Sequence, residues 1–165
     1  EPGREAASEP ERVVPAAEEA AEGEAPAPPR PPSPAERLAT ARRWLTHGRV
    51  DRAEPELRAV LAARAPAAVH AEAATLLGDL TQRSGRLDEA ASLYARAATL
   101  GEGGVVGHNA IYALARLQER RLRDRAAARA SYARYLDEAP EGALASQARH
   151  ALCRLGDRAR CEGAP

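Results

Sequence analysis

From Ala35 to Leu155 the apolar residues recur at intervals of three and four, the period of one helical face, and no stretch alternates with the period of a strand. This pattern predicts an all-α chain with a core that includes Leu76, Leu77, Leu80, Leu93, Tyr94, Ile111, Leu114, Leu117, Tyr132 and Leu136. The helical pattern starts abruptly at Ser33-Pro34-Ala35-Glu36. Ser33 can cap, Pro34 suits the first helical position, and Glu36 completes a capping box. Nine of the thirteen prolines precede residue 35, interleaved with Ala and Glu and almost no large apolar side chain. Such a stretch cannot offset the entropy of ordering itself, so residues 1–32 are expected to be a disordered Pro/Ala/Glu-rich linker.

Past that point the sequence repeats. Gly48-Arg49-Val50-Asp51-Arg52-Ala53 recurs as Gly85-Arg86-Leu87-Asp88-Glu89-Ala90, 37 residues on. The glycine permits a tight turn, and Asp51 and Asp88 are expected to cap the helices that follow, so each copy marks a helix-turn-helix hairpin. A third copy retains Ala128, Tyr132 and Pro140. Its first helix, near His108 to Arg120, runs longer before the turn, and no glycine closes it. Pro55 falls about one turn into the second helix of the first copy, where a missing donor costs less than at mid-helix.

Leu77-Gly78, Gly85, Ala90, Tyr94 and Ala97 resemble the packing positions of the tetratricopeptide family, whose period is about 34 residues. Ala41, Trp44, Gly48, Ala53 and Leu57 follow the same pattern in the first copy. The resemblance implies a right-handed alpha-alpha superhelix of about three TPR-like hairpins over residues 33–156. Leu144 to Leu155 would form its capping helix and residues 157–165 a tail. It also implies a non-catalytic scaffold that binds a protein or peptide. Tyr132-Ala133-Arg134-Tyr135-Leu136, Pro140, Gly142, Leu144-Ala145 and Ala148 further resemble the TPR-like regions of proteobacterial envelope proteins, among them FecR-like anti-sigma regulators and outer-membrane assembly lipoproteins. From this resemblance a periplasmic or cell-envelope location is expected, with the cytoplasm left open. The alternative function is the periplasmic sensor region of an anti-sigma system.

In hairpin arrays of this family the first helix of each repeat lines a concave groove. With Ala41, Gly78 and Ala115 taken as equivalent, the groove would present Leu38, Arg42 and Leu45, then Thr75, Asp79 and Gln82, then Asn109, Tyr112, Arg116 and Glu119. Arg42, Asp79, Gln82, Asn109, Tyr112 and Arg116 are the expected binding residues, taking a segment of some acidic character near Tyr112. Leu38, Leu76 and Ala113 replace parts of the family's carboxylate clamp, which argues against binding of chaperone tails.

Charge divides the chain. Residues 1–34 carry a net −5 and residues 35–165 a net +5, and no lysine occurs. Arg116, Arg120, Arg121, Arg123 and Arg125 form the densest basic run, and a helix C-terminus accounts for such a run without a ligand. With aromatic residues at 3%, the interleaved stacking platform of a nucleic-acid binder is missing, so no nucleic-acid partner is expected. Neither a phosphate-binding glycine loop nor a nucleophile–base constellation is visible, so the expectation is no enzyme and no cofactor. His150, Cys153 and Cys161 lack the fourth ligand of a structural zinc site, so no metal is expected. His47, His70 and His108 are expected in turns or on the surface. Cys153 and Cys161 either form a disulfide, if the chain is exported, or remain two reduced thiols. The first residue is Glu, with neither an initiator Met nor a signal-peptide core, and no apolar run could span a bilayer. The sequence reads as a mature or excised segment, with membrane association only through whatever precedes Glu1.

Overall fold

A computed structural model of the chain describes residues 30–157 and 159. The linker expected at residues 1–32 therefore falls almost wholly outside the described residues, as does most of the C-terminal tail. The described residues form seven α-helices and no strand: α1 Pro34–Thr46, α2 Val50–Ala62, α3 Ala67–Arg83, α4 Leu87–Leu100, α5 Val105–Leu117, α6 Arg125–Glu138 and α7 Ala145–Arg154. A π-helical turn, Gln118–Leu122, follows α5 directly.

The capping box predicted at Ser33 is present. The Ser33 side chain accepts from the Glu36 amide, Glu36 Oε2 accepts from the Ser33 amide at 2.6 Å, and Pro34 opens the helix. Asp51 and Asp88 do not cap. Arg49 and Arg86 hold the N-cap positions, which puts both aspartates inside the first turn, where they complement the helix dipole instead. Only the third hairpin has an acidic cap, with Asp124 Oδ1 accepting from the Ala127 amide at 2.9 Å.

Each helix packs on the next in sequence, and α1 also touches α3 as α3 touches α5, so the first helices of the hairpins lie side by side. Small residues permit this approach. Ala41, Ala53, Ala73, Ala74, Ala90, Ala97, Ala98, Ala110, Ala115 and Ala128 are fully buried, and Leu57, Leu77, Ile111, Leu117, Tyr94, Tyr132 and Tyr135 fill the space between them. Leu76, Leu114 and Leu136, expected in the core, pack against it half-buried. Leu38, expected in the groove, is only 4% exposed and belongs to the core. At the α4–α5 corner a Cβ on Gly107 would stand 2.5 Å from the carbonyl carbon of Gly101, so the two backbones meet where no side chain fits.

The turns show how the third hairpin differs. Arg49 donates to the Trp44 carbonyl and Arg86 to the Thr81 carbonyl, five residues back in each case, whereas Asp124 donates to Gln118, six residues back. Likewise the Tyr94 hydroxyl reaches Gln82, 12 residues away, whereas the Tyr132 hydroxyl donates to Glu119, 13 residues away. The third hairpin thus contains one extra residue, and the wider π-helical turn absorbs it. Asp157 donates to Leu152, again five residues back, so α7 ends as α1 and α3 do.

Candidate functional site

The residue after each close-packed small residue holds an equivalent place on the first helix of its hairpin: Arg42 on α1, Asp79 on α3 and Arg116 on α5. Their surroundings differ. Arg42 is exposed but tied to Glu72 of α3, and that hydrogen bond raises its pKa further. Asp79 Oδ1 accepts the Tyr94 hydroxyl at 2.6 Å, with Gln82 Oε1 3.1 Å from the same oxygen. Burial, then the bond to Asp79, pushes the Tyr94 pKa well above the usual phenol range. Tyr94 can lie there because Gly78 has no side chain: a Cβ at that position would come within 2.8 Å of its ring.

Arg116 has no carboxylate within ion-pairing distance among the described residues, and the same holds for Arg120, one turn on, and for Arg121. Some arginines elsewhere are matched, whereas Arg43, Arg64, Arg83 and Arg129 also have no carboxylate within that distance among the described residues. Arg37 pairs with Glu56, Arg58 with Glu54 and Glu89, Arg86 with Glu54, and Arg134 with Glu138. Arg86 grips Glu54 through two 2.8 Å bonds and, with Arg58, holds its carboxyl below the ordinary range.

Two cavities flank the Arg116–Arg120 ridge. One, of about 160 Å³, is lined by Asp79, Gln82, Tyr94, Ala113, Arg116, Arg120 and Arg121. The other, of about 340 Å³, lies between α5 and α7, with Tyr112, Arg116, Arg120, Gln147, His150 and Arg154 around it. Tyr112 is braced there edge-on against Tyr132 and Tyr135, with ring centroids 5.6 and 5.7 Å away. Arg154 is engaged by Glu119, which also accepts the Tyr132 hydroxyl at 2.8 Å. Burial, then that bond, raises the Tyr132 pKa. A larger hollow of about 560 Å³ beside Trp44 is lined by Thr40, Arg43, Trp44, His47 and Arg49, from α1 and the turn after it alone. No second helix closes it, and it brings together none of the candidate residues.

No protein-family model matches this chain, and no curated protein does. The site therefore stands on its own geometry.

Of the six binding residues expected from the sequence, Asp79, Gln82 and Arg116 share one cavity, and Tyr112 and Arg116 share the next. Arg42 is neutralised by Glu72, and Asn109 is exposed on α5 without lining either cavity. Arg120 and Arg121 were assigned from the sequence to a helix end, yet they line the site. Arg120 could have been found from its four-residue spacing to Arg116. Gln147, His150 and Arg154 carried no such signal, because their place depends on how α7 docks. His108 is half-buried against the Tyr135 ring rather than in a turn or on the surface. Cys153 lies half-buried on α7, and its pairing with Cys161 involves a residue outside those described. The site offers planar guanidinium donors and an amide, the groups that recognise carboxylates.

Proposed function

We propose that the chain is a non-catalytic protein-interaction scaffold of the tetratricopeptide type. In this reading α1/α2, α3/α4 and α5/α6 are three hairpins of a right-handed superhelix, α7 is its cap, and a protein or peptide segment lies across α1, α3 and α5. The observation that carries it is the side-by-side placement of those helices, with Arg116 and Arg120 exposed and, among the described residues, without an ion pair beside the braced ring of Tyr112. The 37-residue repeat and the recurring five-residue turn closure support the repeat class. The cell-envelope location is carried over from the C-terminal resemblance.

A photo-crosslinking residue placed at Asn109, on the face of α5, is expected to capture the partner in cells. The same residue at Ser92, exposed on α4, is expected to capture nothing specific. Crosslinks from Ser92 alone would move the contact to the other face and remove the α1–α3–α5 surface from the reading.

A further inference from the structure

Arg42 shows what the fold does with an arginine at this position: it supplies Glu72 from the next first-helix, α3. Glu72 lies 13 residues before Gly85, the positive-φ residue that closes its turn, and the same count back from Gly156 reaches Ala143, ahead of α7. Accordingly α7, Ala145–Arg154, has no acidic residue to meet Arg116. Instead α7 turns Gln147 and His150 toward the cavity that it shares with Arg116 and Arg120. Arg116, Arg120 and Arg121 share their other cavity with one carboxylate, Asp79, which is engaged by the Tyr94 hydroxyl and outside ion-pairing distance, so positive charge there exceeds counter-charge.

We infer that a partner supplies the missing acids: two side-chain carboxylates of one helical peptide segment, one turn apart, paired to Arg116 and Arg120 in the cleft between α5 and α7. The inference rests on the scaffold reading and names the chemistry of its partner. Side chains four residues apart on a helix lie about 6 Å apart, so a Glu pair at that spacing can reach Arg116 at the end of α5 and Arg120 in the π turn that continues it. Tyr112 flanks the ridge and offers the segment an aromatic surface. Two arginines one turn apart call for two carboxylates, which a single chain terminus does not supply.

The test uses the full chain and an acetylated, amidated Ala-rich peptide of about 16 residues bearing one Glu pair four residues apart, labelled for fluorescence anisotropy. Binding is expected to weaken as salt rises. It should fall about tenfold or more in Arg116→Gln and in Arg120→Gln, as expected for loss of a charge-assisted bond. Arg129→Gln, an exposed change on α6, should bind as the parent does. The thermal midpoint of ligand-free Arg116→Gln should stay level or rise, because a repulsion is removed; a merely structural arginine would lower it. Three results would each overturn the inference: equal binding of a peptide with Gln in place of Glu, full competition by inorganic sulfate at matched charge, or no binding at all. If Asn109 still captures a partner in cells while the acidic peptide fails, the scaffold reading stands and this inference alone falls.

Discussion

Arg123 holds a φ of +60° at the position where Gly48 and Gly85, at +68° and +80°, turn the two earlier hairpins. A side chain in this left-handed conformation costs about 1–2 kcal/mol, of which glycine would return part as its own entropy loss. Arg123→Gly is expected to stabilise the chain by about 0.5–1 kcal/mol, read as a raised denaturation midpoint. Lower stability would show that the Arg123 side chain contributes more than its backbone loses. Two other glycines point the opposite way. Alanine is the better helix former, yet Gly78→Ala would press on a buried Tyr94 held by Asp79, and Gly107→Ala on the backbone of Gly101. Both should destabilise by about 1–3 kcal/mol, Gly107→Ala more because backbone cannot swing aside as a ring can. Equal stability in Gly107→Ala would mean that the α4–α5 corner opens freely.

At the scale of elements the third hairpin is the informative one. Sequence spacing already showed it: Ala41 to Ala53 and Gly78 to Ala90 are 12 residues apart, and Ala115 to Ala128 are 13. Spacing did not show where the extra residue goes. The structure places it in the Gln118–Leu122 π turn, which keeps both Ala115 and Ala128 in their packed positions and carries Arg120 and Arg121 into the cavity lining. Deleting one residue of the Arg120-Arg121 pair should convert that turn to ordinary α-helix with stability at least that of the parent. The same deletion should weaken the Glu-pair peptide: an arginine still follows Arg116 by four residues, but one of the three guanidinium groups lining the cavity is lost, together with the π turn that orients the other. Backbone chemical shifts and the anisotropy assay check the two halves, and a deletion variant that keeps full affinity would detach the π turn from function.

For the whole molecule, the phenols buried between hairpins set the response to alkali. Tyr94 and Tyr132 have pKa values raised by burial and by donation to Asp79 and Glu119. An unfolded tyrosine titrates near about 10, so the folded chain holds these protons where the unfolded chain loses them. Their contribution to stability is therefore complete below about pH 10 and is lost as pH climbs toward the folded values. Denaturation midpoints should be insensitive to these groups up to that point and then fall. The near-ultraviolet absorbance of phenolate should show Tyr94 and Tyr132 ionising only with unfolding. Full ionisation in a still-folded chain would show that the hairpins breathe enough to admit hydroxide.

Local chemistry made much of this protein legible in one dimension. The Ser33-to-Glu36 box, the glycine turns, the 37-residue repeat and the helical period of the apolar residues each depend on neighbours within a turn or two, so they could be read directly. The site was legible only in part. Asp79, Gln82, Tyr112 and Arg116 could be chosen because the repeat fixes which face of a helix they occupy. That Leu38 is core, that Arg42 is neutralised by Glu72, and that Arg116 meets no carboxylate among the described residues are facts about which helix lies against which. Charge neutralisation acts over a few ångströms in space and is indifferent to separation along the chain. A run of arginines therefore reads alike in sequence whether acids surround it or not, and only the packing of α7 on α6, which brings Gln147 and His150 rather than a carboxylate to the cavity shared with α5, left Arg116 and Arg120 without an ion pair among the described residues.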